Sequence, residues 1–288
     1  MRYRVIQEHD RHDPIRLMCR ALAVSAAGYY AWRARPESAR SVANRALLTN
    51  IQHLHWESRQ TYGSPRIWRA LREQGHQVGK HRVARLMRQA NLQAKTVSKW
   101  RVTTDSAHRF PVAANHPNRQ FTVTAPNQVW AGDLTSIWTR EGWLYLAVLC
   151  DLYARAVIGW AMGARLTGEL TAHALQQMGL HRRQPKPDLL HHSDLGSQYA
   201  ATAYRQQLRA AGISGSMSRR GNCWDNACVE SFVGTFKREL IHHRQYQTRE
   251  EATQEILEYL EVFYNRQRRH STLGYQSPAE LEAQAAVA

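Results

Sequence analysis

Two runs, His191-His192-Ser193-Asp194-Leu195-Gly196-Ser197-Gln198-Tyr199 and Gly221-Asn222-Cys223-Trp224-Asp225-Asn226-Ala227-Cys228-Val229-Glu230, bound the stretch that decides how this chain is read. Asp194 follows Leu189-Leu190, so it is expected where a short buried strand ends. Glu230 opens a segment in which Val229, Phe232, Val233, Phe236 and Leu240 recur with helical spacing. At ~100° per residue, Glu230 and Lys237 share one flank of that helix, beside its apolar stripe. Thirty-five residues lie between the two acids. Asp225 or Asn226 can cap the helix.

Working back from this stretch, a third carboxylate stands out. Val129 to Trp138 is apolar on both alternating faces, as in a central, covered strand, and Asp133 lies in its middle. A lone buried carboxylate costs several kcal/mol, on the order of a lost ion pair, unless it is paired or bound to metal. Glu141-Gly142 reads as a turn, Trp143 to Cys150 as a second strand, and Ala156 to Met162 as a third, giving an antiparallel meander. Asp151 is a competing carboxylate whose expected role is in the turn. A helix over 167–181 leads to the strand ending at Asp194, which should run parallel to the first and bring Asp194 beside Asp133. Further on, 202–211 reads as a helix and 213–218 as a short strand.

Asp133, Asp194 and Glu230 are therefore expected to meet. Phosphodiester transfer needs a strong nucleophile, a sink for charge on phosphorus and an aligned leaving oxygen; two Mg²⁺ (or Mn²⁺) ions on hard carboxylate oxygens supply all three. A zinc site from Cys223, Cys228, His242 and His243 has poor spacing. His191 and His192 are expected to support the strand end. His116 and Arg119 form a His-x-x-Arg pair in a Pro-Asn turn and are set aside. Ser193 and Tyr199 have no arginine cluster of the kind a covalent nucleophile would need.

Charge supplies the substrate class. The net formal charge is +16, and residues 1–120 carry 22 Lys and Arg against 7 Asp and Glu, while residues 121–288 carry 17 against 16. A basic footprint confined to the front predicts a polyanionic partner, DNA above all. Residues 14–33 read as two short helices, with Ser25 capping the second. In 44–95, Ala46, Leu47, Ile51 and Leu54 form one helical stripe. Tyr62-Gly63-Ser64-Pro65 starts a second helix, with Ser64 as its cap, and Gly79 precedes a third. That third helix turns Lys80, Arg82, Arg85 and Arg88 outward, as a major-groove reader requires. Asn222 and Asn226, near the Glu230 helix, and Lys237 on it are further candidate DNA contacts.

No apolar run approaches the ~18 residues of a membrane span, the first residues lack a signal-peptide core, and four scattered cysteines suit a reducing compartment. The expected organisation is an N-terminal helical segment (1–40), a helix-turn-helix-like DNA-binding domain (41–95), a basic linker (96–124), an α/β core (125–240) and a C-terminal helical extension (241–288). In that extension, Thr248 precedes an amphipathic helix marked by Ile256, Leu257, Leu260 and Phe263. The cluster Arg266, Arg268, Arg269 and His270 suits DNA contact or solvent equally, and Pro278 starts a last helix.

These motifs together resemble a family. Gly63-Ser64-Pro65-Arg66-Ile67, Val83-Ala84-Arg85-Leu86-Met87, Pro126-Asn127-Gln128-Val129-Trp130, Asp133-Leu134-Thr135 and Gly142-Trp143-Leu144-Tyr145-Leu146 are joined by the two opening runs, Ser231-Phe232, Lys237, Tyr264-Asn265, Arg269-His270, Leu273-Gly274-Tyr275 and Pro278. From nearly end to end the chain is similar to OrfB-type transposases of bacterial insertion sequences, whose DDE core is retroviral-integrase-like. Leu195 stands where similar proteins often have a polar residue; the three acids show no departure. The resemblance implies an RNase H-like mixed five-stranded sheet with flanking helices, with Asp133, Asp194 and Glu230 as catalytic, metal-binding residues. It implies cleavage at element ends and strand transfer by direct transesterification. It also implies OrfA or an OrfAB fusion as partner, a homo-oligomer on DNA, no membrane, and a bacterial cytoplasmic, nucleoid-associated location. A DNA-binding regulator with an inactive core and a plain RNase H-like nuclease are the alternatives.

Overall fold

The computed structural model describes residues 2–95, 123–180, 183, 188–219 and 226–287. The expected linker lies outside these residues except for Val123 and Thr124, as do His116, Arg119, Asn222 and Cys223. The chain divides into two compact units, Met1–His53 and Leu54–Ala288.

The first unit contains α1 (Arg2–His9), α2 (Ile15–Ala21), α3 (Ala26–Ala34) and most of α4 (Ala39–Glu57). Ile6, Cys19 and Tyr29 are its buried centre, ringed by Tyr3, Ile15, Met18, Leu22 and Trp32. Ser25 caps α3 as expected, its Oγ accepting the Gly28 N–H at 2.9 Å. The sequence reading missed α1, which is mostly polar and buries one residue, Ile6.

The second unit opens with α5 (Ser64–Glu73) and α6 (Lys80–Gln89). Gly63 flanks α5, one residue before the expected Ser64 cap, and Pro65 occupies the first turn, where its missing N–H costs nothing. Ile67, Leu71, Val83, Leu86 and Met87 close the space between the two helices.

The sheet has five strands in the order β3-β2-β1-β4-β5: β1 (Val129–Thr139), β2 (Gly142–Asp151), β3 (Ala156–Gly163), β4 (Leu190–Ser193) and β5 (Ser214–Met217). β1 to β3 form the expected antiparallel meander. β4 is parallel to β1, as expected, from Val129 opposite Leu190 to Gly132 opposite Ser193, and β5 is parallel to β4. The meander-to-β4 crossover is α7 (Gly168–His173), which runs on as a π-helical turn over Ala174–Leu180. After β4 come α8 (Ser197–Ala200), α9 (Thr202–Ala210), α10 (Ala227–Glu239), α11 (Arg249–Glu258), a π-helical turn over Tyr259–Tyr264, and α12 (Pro278–Val287).

Side chains alternate along β1, so both sheet faces are covered. Ala131 and Ile137, with Leu146 and Val148 of β2, pack on Val229, Phe232 and Phe236 of α10 and on Ile256, Leu260 and Phe263 behind it. Trp130 and Leu149 face the other way, against Leu175, Tyr199, Tyr204 and Leu208. Leu195 is buried in this second layer, which accounts for its apolar side chain. Among the described residues no helix is long and apolar enough to cross a membrane.

Polar ties join the region around α5 to the C-terminal helices. Tyr62 donates its hydroxyl to Gln267 O (3.1 Å) and accepts the Arg269 N–H (2.7 Å). Arg59 pairs with Glu258 at 2.7 Å, and Arg269 with Glu73 at 2.6 Å. Arg268 is in the interior rather than on DNA or in solvent: it holds both Glu239 oxygens at 2.7 Å, and Tyr259 donates to the same carboxylate at 2.9 Å. Burial opposes its charge, but Glu239 outweighs burial and raises the Arg268 pKa.

Removing one member of a buried pair strands the other. Arg268→Ala is expected to cost about 3–5 kcal/mol in denaturant unfolding, leaving Glu239 buried without its cation. A loss below about 1 kcal/mol, the range of an exposed pair, would show that water already screens it.

Candidate active site

Asp133 lies on β1 one residue beyond the point where the parallel ladder with β4 ends. Asp194 immediately follows β4, and Glu230 lies in the first turn of α10. Each keeps part of its surface open to solvent, as does Lys237. The fold thus gives the sheet edge a set of reachable acids next to a covered interior.

Asp133 accepts the Leu134 N–H at 2.8 Å, and Asp194 accepts the Gly196 N–H at 2.9 Å. Gly196 has no room for a side chain: a Cβ there would stand 2.9 Å from Asp194 Oδ1. Gly132 is similarly confined, since a Cβ would meet His191 Nε2 and Tyr199 at 3.1 Å. The strand can therefore lie close to the layer beneath it only because residue 132 is glycine.

The three acids sense one another. Burial, then the charge of Asp194, pushes the Asp133 carboxyl well above the usual carboxylate range, and Glu230 adds to the rise. Burial and Asp194 likewise raise Glu230. Lys237 is lowered by burial, while the nearby Asp133 opposes that drop. The site is a concentration of negative charge with the Lys237 amine beside it. Its oxygens are hard donors, suited to Mg²⁺ or Mn²⁺. Among the described residues no three Asp, Glu, His or Cys side chains already form a group that could hold an ion, so the acids share a field without forming a closed cage.

The competing residues separate clearly. Asp151 is buried in the turn role expected of it, accepting the Asn127 N–H (2.7 Å) and the Tyr153 N–H (2.8 Å). His192 hydrogen-bonds Ser216 Oγ at 3.0 Å and Ser218 Oγ at 3.2 Å, tying β4 to β5 and its continuation. His191 Nε2 meets the Tyr204 hydroxyl at 2.9 Å, and burial lowers its pKa to about 3, so it is a neutral support. Of the zinc candidates, Cys228 is a buried free thiol and His243 bonds Arg238 O.

Of the expected DNA contacts, Lys80, Arg85 and Arg88 are exposed on α6 and Arg82 is half-buried. Lys80 Nζ lies 4.6 Å from the Trp68 ring centroid. Asn226 is a correction: it is 2 % exposed, and its amide donates to Gly132 O at 3.2 Å, so it faces the interior instead of DNA. It flanks α10 without making a side-chain cap. Tyr199, weighed in the sequence only as a covalent nucleophile, is buried beside the acids, and burial, then Tyr204, Asp133 and Asp194, push its hydroxyl well above the usual range.

Comparison with known proteins gives a consistent result. Residues 43–100 match an HTH-like domain, and residues 123–223 and 211–278 match two integrase core domain models. The chain is 48% identical over 262 residues to the insertion element IS600 uncharacterized 31 kDa protein of Shigella sonnei, covering 91% of this chain and 96% of that protein. It is 41% identical over 284 residues to the transposase InsF for insertion sequence IS3A of Escherichia coli (strain K12), covering 98% of each. A solved HTLV-2 integrase catalytic core domain in complex with magnesium aligns at TM-score 0.43 and 16% identity, over 55% of this chain and 97% of that one.

The raised Asp133 carboxyl has a consequence for the metal-free protein. A folded-state pKa above the ordinary 3.8 means the folded state binds the proton more tightly, so stability is greatest at low pH and is lost as pH rises through the folded value. Asp133→Asn removes that loss. Without divalent metal at neutral pH it is expected to melt higher than wild type, by ~2–4 °C per kcal/mol recovered, and to change less between pH 4 and 7. A lower melting temperature for this variant would show that the carboxylate is stabilising.

Proposed function

The chain belongs to the IS3 family of insertion-sequence transposases, and from that premise we propose that Asp133, Asp194 and Glu230 are the acids that carry its DNA cleavage and strand transfer. The single observation behind the assignment is shared perturbation: burial, Asp194 and Glu230 raise Asp133, and burial and Asp194 raise Glu230. Acids this crowded hold a cation better than a neutral pocket would, and their donor set is oxygen only. These three residues would hold two divalent ions, which when bound make an oxygen nucleophile available at neutral pH and offset charge on the scissile phosphate.

The protein's own residues do the rest. The Leu134 and Gly196 N–H groups fix one oxygen each of Asp133 and Asp194, so the acids are oriented before substrate arrives. Lys237, on the Glu230 helix and within the field of Asp133, would meet a backbone phosphate. Lys80, Arg82, Arg85 and Arg88 on α6 bind a DNA backbone or groove away from the acids. The reaction is hydrolysis at an element end that frees a 3′-hydroxyl, then attack of that hydroxyl on another phosphodiester with no covalent protein link. We further propose that the chain acts as a homo-oligomer on DNA, with OrfA or as an OrfAB fusion.

Asp194→Asn is expected to abolish Mg²⁺-dependent cleavage and strand transfer on end-bearing oligonucleotides while leaving DNA binding intact. Undiminished joining would remove Asp194 from the reaction, and hydrolysis by wild type without any joining would favour a nuclease. Replacing Lys80, Arg85 and Arg88 together by Ala should weaken DNA binding and flatten its log–log salt dependence by roughly 0.9 for each phosphate no longer neutralised. An unchanged slope would move the DNA surface elsewhere.

A further inference from the structure

We infer that Asn226 is a positioning residue for the acid site, tying the helix that carries Glu230 to the strand that carries Asp133; the inference rests on the acid assignment proposed above. Its Nδ2 donates to Gly132 O at 3.2 Å across 94 positions of sequence. Gly132 precedes Asp133 and is the last β1 residue paired with β4. Asn226 precedes Glu230 by four residues, about one helical turn. One hydrogen bond thus joins the two chain segments whose separation sets the distance between two of the acids.

The polar clamp of α10 at Glu239 lies at its opposite end; near Glu230 the helix is held by apolar packing of Val229, Phe232 and Phe236. Such contacts are non-directional and allow small rotations and slides of a helix. A hydrogen bond to a fixed strand carbonyl does not. Misplacement of a reacting group by about 1 Å can cost ~10²-fold in rate, so rotational control of α10 is what a Glu230 ligand needs.

The other half of the amide supports this role over a merely stabilising one. Asn226 is 2 % exposed, and among the described residues its Oδ1 has no hydrogen-bond partner. The alternative amide orientation would set oxygen against oxygen at Gly132, so the assignment of the two ends is settled by chemistry. A buried, unpaired carbonyl is a cost to folding. Leu has nearly the same shape and would fill the space without that cost. Only the grip on Gly132 O distinguishes Asn from Leu here.

The test is a Mn²⁺ titration of the full chain without DNA, read as the metal-dependent rise in melting temperature. Strand transfer and DNA affinity are measured in parallel for wild type, Asn226→Leu, Asn226→Ala and Asp133→Asn. Wild type is expected to be stabilised by Mn²⁺ and Asp133→Asn not. Asn226→Leu should melt at or above wild type without metal, yet need ~10–100-fold more Mn²⁺ for half its stabilisation, the usual effect of losing an outer-shell support. Its strand transfer should fall by a similar factor with DNA affinity unchanged. If Asn226→Leu does not fold, the same shift in Asn226→Ala carries the test. A half-saturation within twofold of wild type overturns the inference and leaves the acid assignment intact. Absence of any Mn²⁺ effect on wild type overturns the acid assignment itself.

Discussion

Like charges resist being gathered, and the fold gathers three carboxylates at one edge of its sheet. The cost is visible in Asp133 and Glu230, both pushed toward the protonated form by burial and by Asp194. Backbone N–H groups offset part of it, one from Leu134 and one from Gly196. The crowding persists beyond what those two bonds offset. Around it, packed apolar layers cover both faces of the sheet.

Helix α10 carries this constraint into the rest of the molecule. At its start, Asn226 holds Gly132 O; at its end, Glu239 is clamped by Arg268 and Tyr259. Arg66 of α5 stands 3.9 Å from the same Glu239, and Tyr62 bonds the backbone at Gln267 and Arg269. The helix that bears Glu230 and Lys237 is therefore fixed at both ends, and its far end lies in the seam with the helices that carry the exposed cations of α6. The helix bearing one acid and the α5 region are thus tied through Glu239, Arg66 and Tyr62.

Much of this was legible in the sequence because the physics was local. Apolar residues on both faces of Val129–Trp138 pointed to a central strand, the helical crossover to a parallel β4, and the 3.6-residue stripe through Phe232 and Phe236 to α10 and the flank occupied by Glu230. Asp151 and the two histidines were separable from the site because turn residues and strand-end supports have their own signatures. Asn226 and Arg268 were not legible, for a common reason. Each is a polar residue type usually found on the surface, here bound to a partner remote in sequence: Gly132 O in one case and Glu239 in the other. Burial of a polar group follows from tertiary pairing, and no one-dimensional period encodes it. The helix α1 was missed because it is short and fully buries one residue, Ile6, with Tyr3 beside it.

The distribution of charge divides the labour of handling the substrate. DNA is a polyanion, and an acid cluster repels it, so the catalytic edge cannot be what draws the substrate in. Residues 1–120 carry the excess of 22 Lys and Arg over 7 Asp and Glu, and residues 121–288 are nearly balanced at 17 against 16. On the proposed assignment of the acids, attraction and chemistry belong to different parts of the chain. Long-range attraction acts through the front part and falls with salt. At the acids, the repulsion between carboxylate and phosphate is removed only when cations stand between them, with the Lys237 amine already in the field of Asp133. Binding and turnover should therefore answer to different ions: monovalent salt governs the first, and divalent metal the second.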